Sequence, residues 1–181
     1  YTTSLNINLY LKRKIAIKWS PLLQQYTENL KNSTSIYHQN LVTFAKLNVI
    51  LEEINATFRE PSYDPLSEDL HESKNEYVSE FYSSSPEQSM PTKYFAKINY
   101  FQSELDKVLS QIPQNNHRMR LFYNTVQAFL HEPSLEKIFN VPRSNLTFSE
   151  DVVHSVTKCA EYCVSAVKEV LYSNKENLVS I

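Results

Sequence analysis

The sequence predicts an all-α fold: an antiparallel bundle of four or five helices, compact or elongated, interrupted by an acidic connector containing Pro and Ser. Three observations carry that prediction. None of the 181 residues is glycine, which removes the easy route to positive φ that hairpin turns, helix C-caps and phosphate loops use. Apolar residues recur at alternating steps of four and three along most of the chain, the spacing that lines one helical face. Prolines, together with Asn and Ser, stand between those runs, where they cap and break helices.

The central stretch is 35–58. Tyr37, Leu41, Phe44, Asn48, Leu51, Asn55 and Phe58 share one helical face, and Leu47, Ile50 and Ile54 widen it. A stripe that broad needs more than one neighbour. Rotated toward Leu47 and Ile54, it leaves Asn48 and Asn55 at its rim, where water can satisfy them.

Before it, 1–20 reads either as a strand (Ile15, Ile17, Trp19) or as a helix (Leu11, Ile15, Trp19, Leu22), and the helical surroundings favour helix. Ser20-Pro21 is an N-cap followed by Pro at the first helical position. From there either one helix runs on to Arg59, or the chain breaks at 31–35, where Asn32, Ser33, Thr34 and Ser35 crowd together.

Residues 60–92 change character, with Pro61, Pro65, Pro86 and Pro91 and eight carboxylates against the single Lys74. Leu66, Leu70, Tyr77 and Phe81 could line one face of a short helix there, and they are the candidate partner-binding residues. Beyond this connector, Tyr94, Ile98, Phe101, Leu105, Val108 and Ile112 keep the four-three spacing without a miss up to Pro113. Asn115-Asn116 caps a further helix with Met119, Phe122, Val126 and Phe129 inward, which Pro133 is expected to stop. Thr147 to Glu150 has capping-box spacing. In the last helix Val152, Val156, Cys159, Cys163, Val167 and Val170 form the inward face, broadened by Val153, Ala160, Val164 and Leu171. The expected core centres on Phe44, Leu51, Ile54, Phe101, Leu105, Phe122, Val126, Val156 and Cys163.

Little in the sequence suggests catalysis. Cys159 and Cys163 lie one turn apart but no third Cys could complete a zinc set, so they read as small core thiols. His38, His71, His117, His131 and His154 are scattered with no H-x-x-x-H pair, and surface or helix-end positions account for them. The adjacent carboxylates Glu52-Glu53, Glu68-Asp69 and Glu150-Asp151 point apart on a helix and make no acid/base dyad. No metal and no cofactor is expected.

Two basic clusters could meet an anion or lipid headgroup: Lys12, Arg13, Lys14 and Lys18 beside Trp19, and His117 with Arg118 and Arg120. A net charge of −2 argues against bulk attraction to a polyanion, and no nucleic-acid motif accompanies the clusters, so nucleic acid is the less expected partner. The three N-x-S/T sequons, at Asn32, Asn55 and Asn145, are about what chance supplies in a chain so rich in Asn, Ser and Thr.

The resulting expectation is a single helical domain over 1–181, a fragment of a longer intracellular protein since the chain starts at Tyr1. It would serve as a non-enzymatic adaptor or scaffold module that binds another protein. The alternative is a tether that holds an anionic membrane surface through its N-terminal basic-aromatic segment. Either would place it in the cytoplasm, or peripherally on an organelle membrane or the cytoskeleton.

Overall fold

A computed structural model describes residues 19–58, 92–139 and 148–179. They form an all-α bundle of five helices, with no strand among the described residues. The helices are α1 (Pro21–Lys31), α2 (Ile36–Phe58), α3 (Thr92–Leu109), α4 (His117–Phe139) and α5 (Glu150–Val179). The expected strand or helix before Trp19 and the connector residues Leu66, Leu70, Tyr77 and Phe81 lie outside the described residues.

The open question over 21–59 resolves as two helices. Ser20 caps α1, its Oγ accepting from the Leu23 amide at 3.3 Å, and Pro21 occupies the first turn. The chain then breaks after Lys31, where the Ser33 amide donates to the Leu30 carbonyl at 3.0 Å and the Ser33 Oγ accepts from the Ser35 amide at 3.2 Å. These local bonds offer the backbone an alternative to continuing the helix. No residue of α1 is buried.

The core is one cluster drawn from α2, α3, α4 and the first turns of α5. All six apolar residues of the regular run in and after α3, from Tyr94 to Ile112, are buried. Phe58 packs edge-on against Tyr94 (centroids 5.1 Å apart) and Phe101 (6.0 Å). Phe44 meets Phe122 at 4.5 Å, joining α2 to α4. Asn116 caps α4, its Oδ1 accepting from the Met119 amide at 3.2 Å.

Four expectations fail here. Asn48 and Asn55 are buried rather than at the rim; Asn48 compensates in part by donating to the Phe44 carbonyl one turn back, at 2.7 Å. The stripe's first turns go the other way, with Tyr37 and Leu41 largely exposed, on the part of α2 that precedes its first buried residue, Val42. Pro133 does not stop α4, which runs on to Phe139. A Pro inside a helix removes one backbone bond and costs about 3 kcal/mol, and the burial of Leu130, His131 and Ser134 on either side offsets that.

The fourth concerns α5. Cys159 is buried but Cys163 is exposed, as are Val153, Val164, Val167, Val170 and Leu171. The helix instead packs through Val152, Ser155 and Cys159, with Val156 and Tyr162 half-buried. Its apolar residues occupy two faces, and sequence spacing alone favours the wider one.

Candidate functional site

The helices enclose a cleft of about 320 Å³ between α3, α4 and α5. Ile98, Gln102 and Asp106 line it from α3, His131 from α4, and His154, Ser155, Lys158 and Tyr162 from α5. Its floor is a chain of buried polar groups. Ser134 Oγ donates to Ser155 Oγ at 2.9 Å, and Ser155 Oγ lies 2.9 Å from His131 Nδ1. With Ser155 donating onward, His131 carries its proton on Nε2. That atom is buried and has no hydrogen-bond partner among the described residues. The imidazole stacks on Tyr162, with centroids 6.1 Å apart and planes 12° from parallel.

A second network lines the wall toward α3. Gln127 Nε2 donates to Tyr123 Oη at 2.6 Å, Tyr123 donates to Asp106 Oδ1 at 3.2 Å, and Gln102 bridges Asp106 (2.9 Å) and Tyr162 (3.4 Å). Burial raises the hydroxyls of Tyr123 and Tyr162 above their ordinary range.

Ser155 and His131 resemble a nucleophile and its base, but the electrostatics oppose that use. Burial, helped by the charges of His154 and Lys158, pushes His131 down to about 4. A base that weak holds little attraction for a serine proton near neutral pH. Among the described residues no carboxylate orients its far nitrogen, unlike a hydrolytic triad. Buried polar networks of this kind hold neighbouring helices in one arrangement.

Sequence reasoning misses His131 by assigning it to surface or helix end. The available signal is its alignment with Tyr123 and Gln127 at four-residue steps, which forms a polar line along the buried face of α4. No group of three His, Cys, Asp or Glu suited to a metal occurs among the described residues. No helix among them is long and apolar enough to cross a membrane.

The basic cluster at the start of α4 is not an open anion site. Arg120 Nε bonds Glu169 Oε1 at 3.1 Å and His117 Nδ1 sits 2.7 Å from Glu169 Oε2. His117 also stacks on Tyr172 at 5.9 Å. Two of the cluster's basic groups therefore converge on a mostly buried α5 carboxylate, while Arg118 is exposed. Trp19 is half-buried with its amide on Glu52 Oε2 at 3.2 Å, and Lys12, Arg13, Lys14 and Lys18 lie outside the described residues. Replacing Glu169 by Gln should lower stability by about 1–3 kcal/mol, because it leaves the Arg120 charge without its partner between the helices. Denaturant melts of Glu169→Gln beside Glu161→Gln, an exposed carboxylate, measure the difference.

Comparison with known proteins then places the chain. A family model described as the WAR1 C-terminal domain matches residues 1–181. The Transcriptional regulator WAR1 of Candida albicans is 24% identical over 173 residues, covering 93% of this chain and 15% of that protein. The Weak acid resistance protein 1 of Saccharomyces cerevisiae is 23% identical over 188 residues, covering 93% of this chain and 18% of that protein. The chain thus spans less than a fifth of the length of these curated relatives. No solved structure matches.

These findings correct the functional expectation. A family named for WAR1 and a relative named as a transcriptional regulator overturn the reading as a cytoplasmic adaptor or scaffold, and equally the reading as a membrane tether. The expected placement in the cytoplasm, on an organelle membrane or on the cytoskeleton is overturned on the same ground. Treating nucleic acid as the less expected partner is not supported either: it rests on bulk charge and on a missing motif, and a domain of a regulator can work beside DNA without being basic itself. The expectation of a non-enzymatic chain stands, because the relatives are regulators and not enzymes.

Proposed function

The chain belongs to the WAR1 C-terminal domain family, and from that premise we propose that it is the effector domain of a nuclear transcriptional regulator. The observation that carries this is the family match over the whole chain, joined by a Candida relative named as a transcriptional regulator. The name of the Saccharomyces relative links that protein to weak-acid resistance, and we extend the same setting to this chain.

In this proposal 1–181 works as one helical domain, and the acidic stretch 60–92 supplies its contact with a protein partner. Eight carboxylates interspersed with Leu66, Leu70, Tyr77 and Phe81 are the composition of acidic-hydrophobic activation segments. Such a segment suits a partner groove with apolar pockets and a basic rim. The bundle, held in one arrangement by the networks around Ser155 and Asp106, carries that segment.

A reporter assay tests the proposal. The 181-residue chain fused to an unrelated DNA-binding domain should raise transcription from the matching promoter. Replacing Leu66, Leu70, Tyr77 and Phe81 together by Ala should lower that signal about tenfold at equal protein level, by removing the apolar anchors of the contact. A fusion that leaves the reporter unchanged, or lowers it, would defeat the proposal.

A further inference from the structure

The solvent face of α5 carries a regular apolar seam. Val153, Thr157, Ala160, Val164, Val167 and Leu171 follow alternating steps of four and three, and all are exposed. The large ones are half or more exposed, from 50% at Val153 to 60% at Val167. Thr157 brings no unpaired hydroxyl, since its Oγ1 donates to the Val153 carbonyl at 2.9 Å. The seam runs about 27 Å at roughly 1.5 Å per residue. It lies opposite the face through which α5 joins its own bundle, where Ser155, Cys159 and Tyr162 sit. Alternating steps of four and three are the spacing of a coiled-coil seam.

We propose that this seam pairs α5 with α5 of a second copy of the chain, antiparallel about a twofold axis. The flanks of the seam choose that occupant. One flank carries the exposed His154, Glu161 and Lys168, and the other carries Val156, Cys163 and Val170. In an antiparallel twofold pair like flanks meet, so charged faces charged and apolar faces apolar. In a parallel pair unlike flanks meet, which would set Glu161 and Lys168 against Val and Cys.

Charge also fixes the register. The pairing that puts Val164 against Val167 of the second copy places Ala160 against Leu171, small against large. It brings Glu161 opposite Lys168 of the second copy on one side and Cys163 opposite Val170 on the other. Sliding one heptad in one direction sets Glu161 against Glu161, and in the other direction Lys168 against Lys168, both repulsive. Within one chain Glu161 contacts Lys158 at 2.9 Å, an exposed pair one turn apart that is weak enough to share or exchange its partner.

Sedimentation of the 181-residue chain over a concentration series is the test. The chain should move from monomer to dimer as concentration rises. Val164→Glu with Val167→Glu should hold it monomeric, with unchanged helical circular dichroism because both sites are on the surface. Glu161→Lys should weaken the dimer about tenfold or more, by setting like charges opposite each other, and adding Lys168→Glu should restore it. This pair of variants decides the matter even if the double Val variant fails to fold. In oxidised Val170→Cys, disulfide should join Cys163 of one chain to position 170 of the other. A chain that stays monomeric at every concentration would overturn the proposal. So would a dimer indifferent to these substitutions, or a Cys163-to-Cys163 disulfide in the unsubstituted chain.

Discussion

Phe101→Ala should destabilise the domain by about 3–5 kcal/mol, the usual cost of removing a fully packed aromatic ring. Phe101 is 3% exposed, at the meeting point of α2 and α3, where its ring meets Phe58 edge-on at 6.0 Å. Phe58 in turn packs on Tyr94, so the cavity would open beside aromatic side chains that cannot easily collapse into it. For a domain of this size the loss corresponds to roughly 10 °C in melting temperature. Phe139→Ala is the matched control: the same atoms leave a site that is 78% exposed, and the melting temperature should hardly move. Equal shifts for the two variants would show that the core does not centre on the α2–α3 contact.

A second large effect comes from acid. His131 is held neutral in the fold, its titration pushed from 6.5 down to about 4 by burial and by the charges of His154 and Lys158. The unfolded chain takes up that proton near its ordinary value, while the folded chain refuses it. His131 therefore contributes stability that is fully present above about pH 6.5 and is lost as pH falls toward 4. The loss across that window is roughly 3 kcal/mol. Urea midpoints measured from about pH 7.5 down to about pH 4 should fall accordingly. In His131→Gln, which keeps a polar side chain but cannot titrate, that part of the slope should vanish, leaving the contributions of the other titrating groups. A histidine variant with the unaltered acid profile would place the titration elsewhere.

How far the sequence discloses this structure follows from how pure each stripe is. In α3 and the turn after it, Tyr94, Ile98, Phe101, Leu105, Val108 and Ile112 form one line, and the remaining positions are mostly polar. Only one face could turn inward, and it does. In α5 the apolar residues wrap more than half the helix, and spacing does not tell which side meets the bundle. The polar residues decide it. Ser155 sits against Ser134 and His131, and Glu169 receives Arg120 and His117, partnerships that no periodicity reveals.

The same limit explains the other misses. The cost of burying an amide argues for placing Asn48 and Asn55 at the water's edge, but Asn48 finds a carbonyl one turn back in its own helix. Pro133 reads as a stop because it cannot donate, yet tertiary burial on both sides carries α4 past it. His131 escapes notice because a lone histidine has no spacing to betray it. Function is the least legible part. That the chain is no enzyme rests on its relatives. Nothing in the residues, however, distinguishes a module of a transcriptional regulator from any other helical domain, and the family relationship alone supplies that.

If this chain is the part of a transcriptional regulator that acts on transcription, removing it should uncouple binding from output. The most direct measurement is of transcript levels in cells whose full-length protein either keeps or lacks these 181 residues, before and after a weak-acid challenge, with chromatin occupancy followed in parallel. The truncated protein should still occupy its sites, while the induced transcripts fall to the level of cells without the protein. Unchanged induction by the truncated protein would contradict the proposed role.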